Sequence, residues 1–506
     1  MESALRTVET VLGLVVLATV VATFARRIEV PAPSLLVVAG LAVALIPGTP
    51  DIVVTPELVG LVVLPPLLYA AGEELSWREL RLVWRPVALL AIGLVITSAA
   101  AVGAVTVWLT PLPASLAFVL GAVLASTDPV AVAALGRRLS LPPRLQTLVQ
   151  AESLFNDATS FLLFRLSLGF ALAGAIAWGD AAGDFVLLAV GGTAIGALVA
   201  AGVALIRWRT EDPVLESVVA LVTPYLAYVL AEAVHASGVT AVVVASVILG
   251  ALRTRLTGPR TRLQLTAVYP TVIFLLESVV FSLIGLQLPA LVRRLASADQ
   301  PWILAALAIA VTLVVVRVAW VLPIARIVAR GRSLQVTAVV AWAGTRGVVP
   351  LAAVLSVPLA DAAGAPLAGR DLVLVLAIAV IALSLVVQGF TLTALVGRSG
   401  LAVPAGVAED EVRAARSAID REGLAYLDEI AGEVPPAVVD RIRRQLAHTD
   451  DVAGEEEPGY RQLWRDVIAV RSAALARRYA EHQVSEAAFH QLQRQLDLED
   501  ARFDDR

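Results

Sequence analysis

About thirteen apolar stretches fill nearly everything before residue 400, and each is long enough to cross a bilayer as a helix. They run approximately over 8–25, 31–48, 56–73, 84–108, 113–136, 145–174, 184–206, 213–235, 237–252, 266–289, 301–325, 334–358 and 371–397. About 20 apolar residues at 1.5 Å rise cover the hydrocarbon core, where helices and closed barrels are the only structures that satisfy every backbone polar group. This feature predicts an all-α polytopic membrane protein. Composition agrees: only 16% of the 506 residues are charged, against about 25% in soluble domains. The chain has no cysteine, which excludes disulfides, thiol catalysis and Cys-based metal sites. No basic patch is interleaved with aromatics, so no nucleic-acid partner is expected. The opening "MESALRTVET" lacks a basic n-region, so no cleaved signal peptide is expected.

The basic residues are all arginine, and they favour alternate loops, as at Arg26 and Arg27, Arg137 and Arg138, Arg207 and Arg209, Arg253 and Arg255, and Arg330 and Arg332. By the positive-inside rule the N-terminus lies outside, and an odd number of spans leaves the C-terminus in the cytoplasm of a cell-membrane protein. Composition changes near residue 400, and about half of all acidic residues fall in the last fifth of the chain. Helical periodicity with many charges there predicts two domains: a transmembrane domain over 1–400 and a helical cytoplasmic tail over 401–506, with a regulatory or docking role.

Two spans are interrupted near their middles, "LASTDPVAVAALG" in the fifth and "AWAGTRGVVPLAA" in the twelfth. Pro129 removes a backbone donor and disfavours helix at Asp128; Gly344, Gly347 and Pro350 loosen the twelfth span. Lying seven spans apart, the two run in opposite directions, which an inverted repeat requires, and paired interrupted helices mark a transporter's midplane site. Asp128 is placed to offset two half-helix N-termini, and Arg346 two C-termini.

The stretch "AESLFNDATS" carries the other polar cluster. Four-residue spacing puts Ser153 and Asp157 on one helical face and Glu152 and Asn156 on another. The first face offers oxygen ligands to a bare cation, with Thr127 adding a hydroxyl and the broken backbone a carbonyl. The second offers Glu152 to a buried positive group, for which Arg346 is the expected partner. A lone desolvated carboxylate binds either a proton or a cation. Competition at Asp157 is therefore enough for an exchanger, and one carboxylate on that face implies one cation for one proton.

These motifs, "STDPVAV" at 126–132, "ESLFNDAT" at 152–159, "FSLIGLQLP" at 281–289 and "AGTRGVVPLA" at 343–352, resemble the electroneutral branch of the cation/proton antiporter superfamily over about residues 1–400. The resemblance implies a secondary transporter exchanging Na⁺ or Li⁺ for H⁺ in sodium and pH homeostasis. It implies a homodimer whose core bundle moves against a dimer scaffold, two crossed unwound helices, and no cofactor. It assigns Asp157 as the ion- and proton-carrying carboxylate, Asn156 as the Asn of the branch's Asn–Asp pair, Asp128 and Thr127 to the crossed helices, Ser153 as a ligand, and Glu152 with Arg346 as a buried pair. Ala151, Ala343 and Thr345 depart from the usual residues, but the charged positions are intact. Glu277 stands where many bacterial members resemble Asn and animal exchangers Glu; Arg317 is its expected partner. Exchange of K⁺ for H⁺ is the alternative on the same scaffold. An intramembrane aspartyl protease would use Asp128 and Asp157 but needs a GxGD-type sequence, which does not appear; a channel would need a repeated filter sequence.

Overall fold

The structure is a computed structural model. It describes parts of 12–24, then 32–46, 59–128, 143–173, 183–210 apart from 184, 212–296, 302–328, 333–360, 364–400, 405–447 and 458–501. The second half of the expected fifth span, the loop holding Arg137 and Arg138, and Arg26, Arg27, Arg330 and Arg332 lie outside the described residues.

Helix follows the apolar runs closely. The membrane part holds α1 (Ala32–Ala44), α2 (Leu64–Glu73), α3 (Trp77–Leu109), α4 (Ala114–Ala125), α5 (Pro143–Ala173), α6 (Leu187–Arg209) and α7 (Pro213–Ala233). It continues with α8 (Gly238–Leu256), α9 (Pro259–Ala296), α10 (Trp302–Val328), α11 (Ser333–Trp342), α12 (Val348–Leu355) and α13 (Arg370–Ser399). Among the described residues, six helices are long and apolar enough to cross a membrane by themselves, and four shorter apolar helices accompany them.

Local chemistry explains where helices start, bend and stop. Ser76 caps α3, its hydroxyl accepting from the Glu79 amide at 3.3 Å, in the Ser-x-x-Glu pattern of a capping box. Pro86 inside α3 removes a donor, and the helix widens to a π-type turn over Leu89–Leu94 before resuming. The α13 helix stops at Gly400, which adopts φ of 64°, the left-handed position that glycine takes without steric cost. Apolar side chains also point outward. Val218, Val222, Leu226 and Val229 form an exposed stripe along α7, the reverse of a soluble helix and the expected face toward lipid or another membrane helix.

The chain forms two compact units. The first comprises 1–210, 218–256 and 269–402. Within it α3, α4, α5, α10 and α13 form one packed group, while α2 packs on α8 and α8 on α6. The α4 and α12 helices are the most enclosed: every described residue of α12 except Val349 is buried. The second unit comprises 211–217, 257–268 and 403–506. It therefore takes in two segments from the ends of spans as well as the tail. Its tail helices, α14 (Ala405–Ile430), α15 (Pro436–Ala447), α16 (Pro458–Ala480) and α17 (Glu486–Ala501), enclose an apolar core including Ile419, Leu427, Ile442, Trp464, Val467 and Leu492. Arg471 is buried in this unit, 2.7 Å from Asp420 and paired also with Glu499. Burial raises the Asp420 carboxyl above its ordinary value, against the opposing pull of Arg471.

Candidate ion-transport site

The site forms where two helices stop short inside the protein. The α4 helix ends at Ala125, and Ser126, Thr127 and Asp128 continue without helical hydrogen bonding. The α11 helix ends at Trp342, and Gly344–Gly347 lead irregularly into α12. The two irregular segments pair with each other: the Asp128 amide donates to the Thr345 carbonyl at 2.7 Å, and the Thr345 hydroxyl donates to the Asp128 carbonyl at 2.9 Å. Backbone groups that a continuous helix would satisfy internally are satisfied here across the break.

Arg346 serves the C-terminal ends. Its Nε donates to the Leu124 carbonyl at 3.1 Å, in the last turn of α4, and its Nη1 to the Gly344 carbonyl just past α11. Those carbonyls carry the negative ends of two helix dipoles. Asp128 serves an N-terminal end: its carboxylate lies against Gly347, the N-cap of α12, where an added Cβ would sit 1.5 Å from Oδ2. Arg346 thus meets the carbonyl ends of α4 and α11 and Asp128 the amide end of α12, while the other N-terminal end expected for Asp128 lies outside the described residues.

The expected pairing of Glu152 with Arg346 is not. Arg317 on α10 takes Glu152 instead, donating from Nη1 to Oε1 at 2.6 Å and from Nη2 to Oε2 at 2.9 Å, while its Nε donates to the Val340 carbonyl at 3.1 Å. The pair is buried, with side chains 2% and 1% exposed. The same observation removes the expected Glu277–Arg317 bridge, because both carboxylate oxygens of Glu152 occupy the guanidinium fork. Glycine makes room: an added Cβ on Gly344 would lie 2.6 Å from Arg317 Cδ, so the arginine stem runs directly over the break. Sequence reasoning joined Glu152 to the nearer-looking arginine because Arg346 sits in a motif and Arg317 in an otherwise apolar run.

The remaining residues of α5 organise the break. Asn156 donates from Nδ2 to the Thr127 hydroxyl at 2.7 Å, and the Ser153 hydroxyl donates to the Thr127 carbonyl. The Ser126 hydroxyl donates to Asp157 Oδ1. Ser160 donates to the Ala122 carbonyl at 2.6 Å, tying α5 to α4 one turn further on. Ser126 was not singled out from sequence, although it opens the "STDP" motif. No arginine or histidine among the described residues pairs with Asp157, which is buried at 6% exposure.

A cavity of about 560 Å³ reaches this carboxylate. Asp157, Asp128, Thr127 and Ser153 line it, whereas Asn156 does not. Its walls also include Glu74, Gln150 and Glu277, and no basic side chain among the described residues. The Asp157 carboxylate, neighbouring oxygen atoms and a cavity leading to them thus come together in one place.

Residues 14–398 match the family model described as sodium/hydrogen exchanger, transmembrane. The chain belongs to the sodium/hydrogen exchanger family. It is a multi-pass membrane transporter that exchanges sodium ions for protons, and its carboxylates are not those of an enzyme. It is similar to an uncharacterized Na⁺/H⁺ exchanger of Mycobacterium tuberculosis, 35% identical over 459 residues, covering 86% of this chain and 84% of the relative. It is also similar to the Na⁺/H⁺ antiporter ApNhaP of Aphanothece halophytica, 33% identical over 423 residues, with 82% and 78% covered. The solved structure of the sodium proton antiporter MjNhaP1 from Methanocaldococcus jannaschii has a similar fold, with a TM-score of 0.65 at 20% identity, covering 79% of this chain and all of that one.

Proposed function

We propose that this exchanger moves one Na⁺ or Li⁺ against one H⁺, electroneutrally and by alternating access, with the two ions competing for Asp157. The observation that carries this reading is the absence of a cationic partner. Arg317 is held by Glu152 and Arg346 by backbone carbonyls, so among the described residues only an entering ion is left to cancel the Asp157 charge. A buried unpaired carboxylate is costly, which favours occupancy by one ion or the other at every stage of the cycle. Thr127 and Ser153, which line the cavity beside Asp157, supply further oxygens for a dehydrating cation. Asn156 holds Thr127 in place.

The spans form inverted repeats about the two interrupted helices, thirteen in all, in a homodimer of the cell membrane with the N-terminus outside and the tail in the cytoplasm. The arginine pattern supports this orientation. It also makes the cavity cytoplasm-facing, because Glu74 at its exposed edge ends α2, just before the Arg78, Arg81 and Arg85 segment. Residues 401–506 act as a regulatory unit.

Proteoliposomes with an internal pH dye test the reading, with Na⁺, Li⁺ and K⁺ supplied in turn. Na⁺ and Li⁺ gradients should drive proton flux, an imposed membrane potential should leave the rate unchanged, and apparent cation affinity should weaken as pH falls. Voltage-driven flux would exclude one-for-one exchange, and K⁺ flux equal to Na⁺ flux would exclude the proposed selectivity.

A further inference from the structure

Glu277 lost its expected partner when Arg317 proved to belong to Glu152, and the structure gives it another setting. It projects from α9 as a half-buried wall residue of the transport cavity, with no hydrogen bond or ion pair to any described residue. The Asp128 carboxylate, of like sign, lines the same cavity.

Its depth follows from helix register. On α5, Gln150 and Asp157 both line the cavity, two turns apart, about 10 Å at 1.5 Å per residue. On α9, Tyr269 and Glu277 both line it, separated by slightly more, about 12 Å. Both helices begin at an arginine-rich end, with Arg144 in the first turn of α5 and Arg260 and Arg262 in the first turn of α9, and run inward. Glu277 therefore stands at about the depth of Asp157, on a different wall. The volume holds on the order of ten to twenty waters at about 30 Å³ each, so a cation arrives hydrated. Low-dielectric walls lined by one sign of charge focus the field and concentrate counter-ions within them.

We propose that Glu277 is an affinity-setting residue of the transport cavity: a second carboxylate at the level of Asp157 that attracts the hydrated Na⁺ or Li⁺ across the cavity, without ligating the dehydrated ion or carrying the exchanged proton. This rests on the reading of Asp157 as the exchange site. Attraction through water depends on charge and not on ionic radius. Glu277→Gln should therefore raise the apparent KM for Na⁺ and for Li⁺ by the same factor, about tenfold for 1.4 kcal/mol of lost attraction. Maximal rate should stay within about twofold and exchange should remain electroneutral. Glu277→Asp, which keeps the charge, should restore most of the affinity; a purely structural glutamate would show no such charge dependence in KM.

The experiment measures Na⁺- and Li⁺-driven proton flux in proteoliposomes containing the full chain, wild type beside Glu277→Gln, Glu277→Asp and Asp157→Asn, with thermal stability measured on the same preparations. Glu277→Asn replaces the Gln variant if that variant is not recovered folded. Equal KM increases at preserved rate support the proposal. An unchanged KM, a loss of rate alone, or unequal factors for the two cations overturns it. If wild-type protein shows no Na⁺-driven flux, the antiport reading fails. If wild type exchanges, Asp157→Asn does not and the Glu277 variants keep wild-type affinity, only the role of Glu277 fails.

Discussion

Glu152 and Asp157 stand five positions apart on one helix, both buried, and their surroundings assign them opposite tasks. Glu152 is held through both oxygens by Arg317, so its charge is permanently cancelled. Asp157 receives one hydroxyl, from Ser126, and no cationic side chain among the described residues. Substitutions should separate the two. Breaking a buried pair leaves an uncompensated charge at a cost of roughly 3 to 5 kcal/mol. Glu152→Gln and Arg317→Gln should each lower folded yield and melting temperature, and a thermal-denaturation double-mutant cycle should show coupling between them; strictly additive losses would argue against the pair. Asp157→Asn should melt normally and lose exchange, because an amide neither takes up the proton nor holds a bare cation well. Asp157→Glu should retain some flux with altered Na⁺ to Li⁺ preference. Full exchange by Asp157→Asn would rule out the one-site mechanism. The division was partly legible in sequence, since four-residue spacing separated the two faces of α5. Which arginine reached Glu152 was not, because that depends on where α10 crosses the break.

At the scale of elements, the end of α4 at Ala125 and the break between α11 and α12 matter more than the helices beside them. Pro129 and the glycines around Arg346 point to them in the sequence. The structure adds the reciprocal bonds between Asp128 and Thr345 and the arginine bridging two carbonyl ends. Neither has a sequence period, so periodicity could not report them. Gly347 tests the arrangement. A methyl group there would overlap the Asp128 carboxylate, its carbon 1.5 Å from Oδ2 and 2.4 Å from Cβ. Gly347→Ala should therefore displace Asp128 and the start of α12. Overpacking typically costs about 1 to 3 kcal/mol. Exchange activity should fall at least tenfold even where the protein folds, as read by dye flux beside a melting curve. Activity at the wild-type level would mean that the crossing tolerates a shift of Asp128, and that its position is not critical to transport.

For the whole molecule, the transport residues and the tail belong to different compact units, and the second unit also holds 257–268. Within that unit Asp497 of α17 accepts from Arg262 Nε at 2.9 Å, and the same guanidinium also donates from Nη2 to Asp497 and from Nη1 to the Thr257 carbonyl. Sequence showed that the tail is helical and charged; it could not show that an arginine outside residues 401–506 is held by it, since the two positions are 235 residues apart. Every polar group assigned to ion handling lies before residue 400. Truncation near residue 405 should therefore leave an inserted protein that still exchanges Na⁺ for H⁺, with altered pH dependence and lower thermal stability. Removing one partner of a charge-assisted hydrogen bond costs about 1.5 to 3 kcal/mol. Asp497→Asn in the full chain should accordingly reproduce part of the stability loss while leaving Na⁺ affinity unchanged, because Arg262 does not line the cavity. Flux measured on the truncated protein, beside its melting curve, decides the matter. Complete loss of transport from a well-folded truncation would make the tail part of the exchange mechanism and not a unit that regulates it.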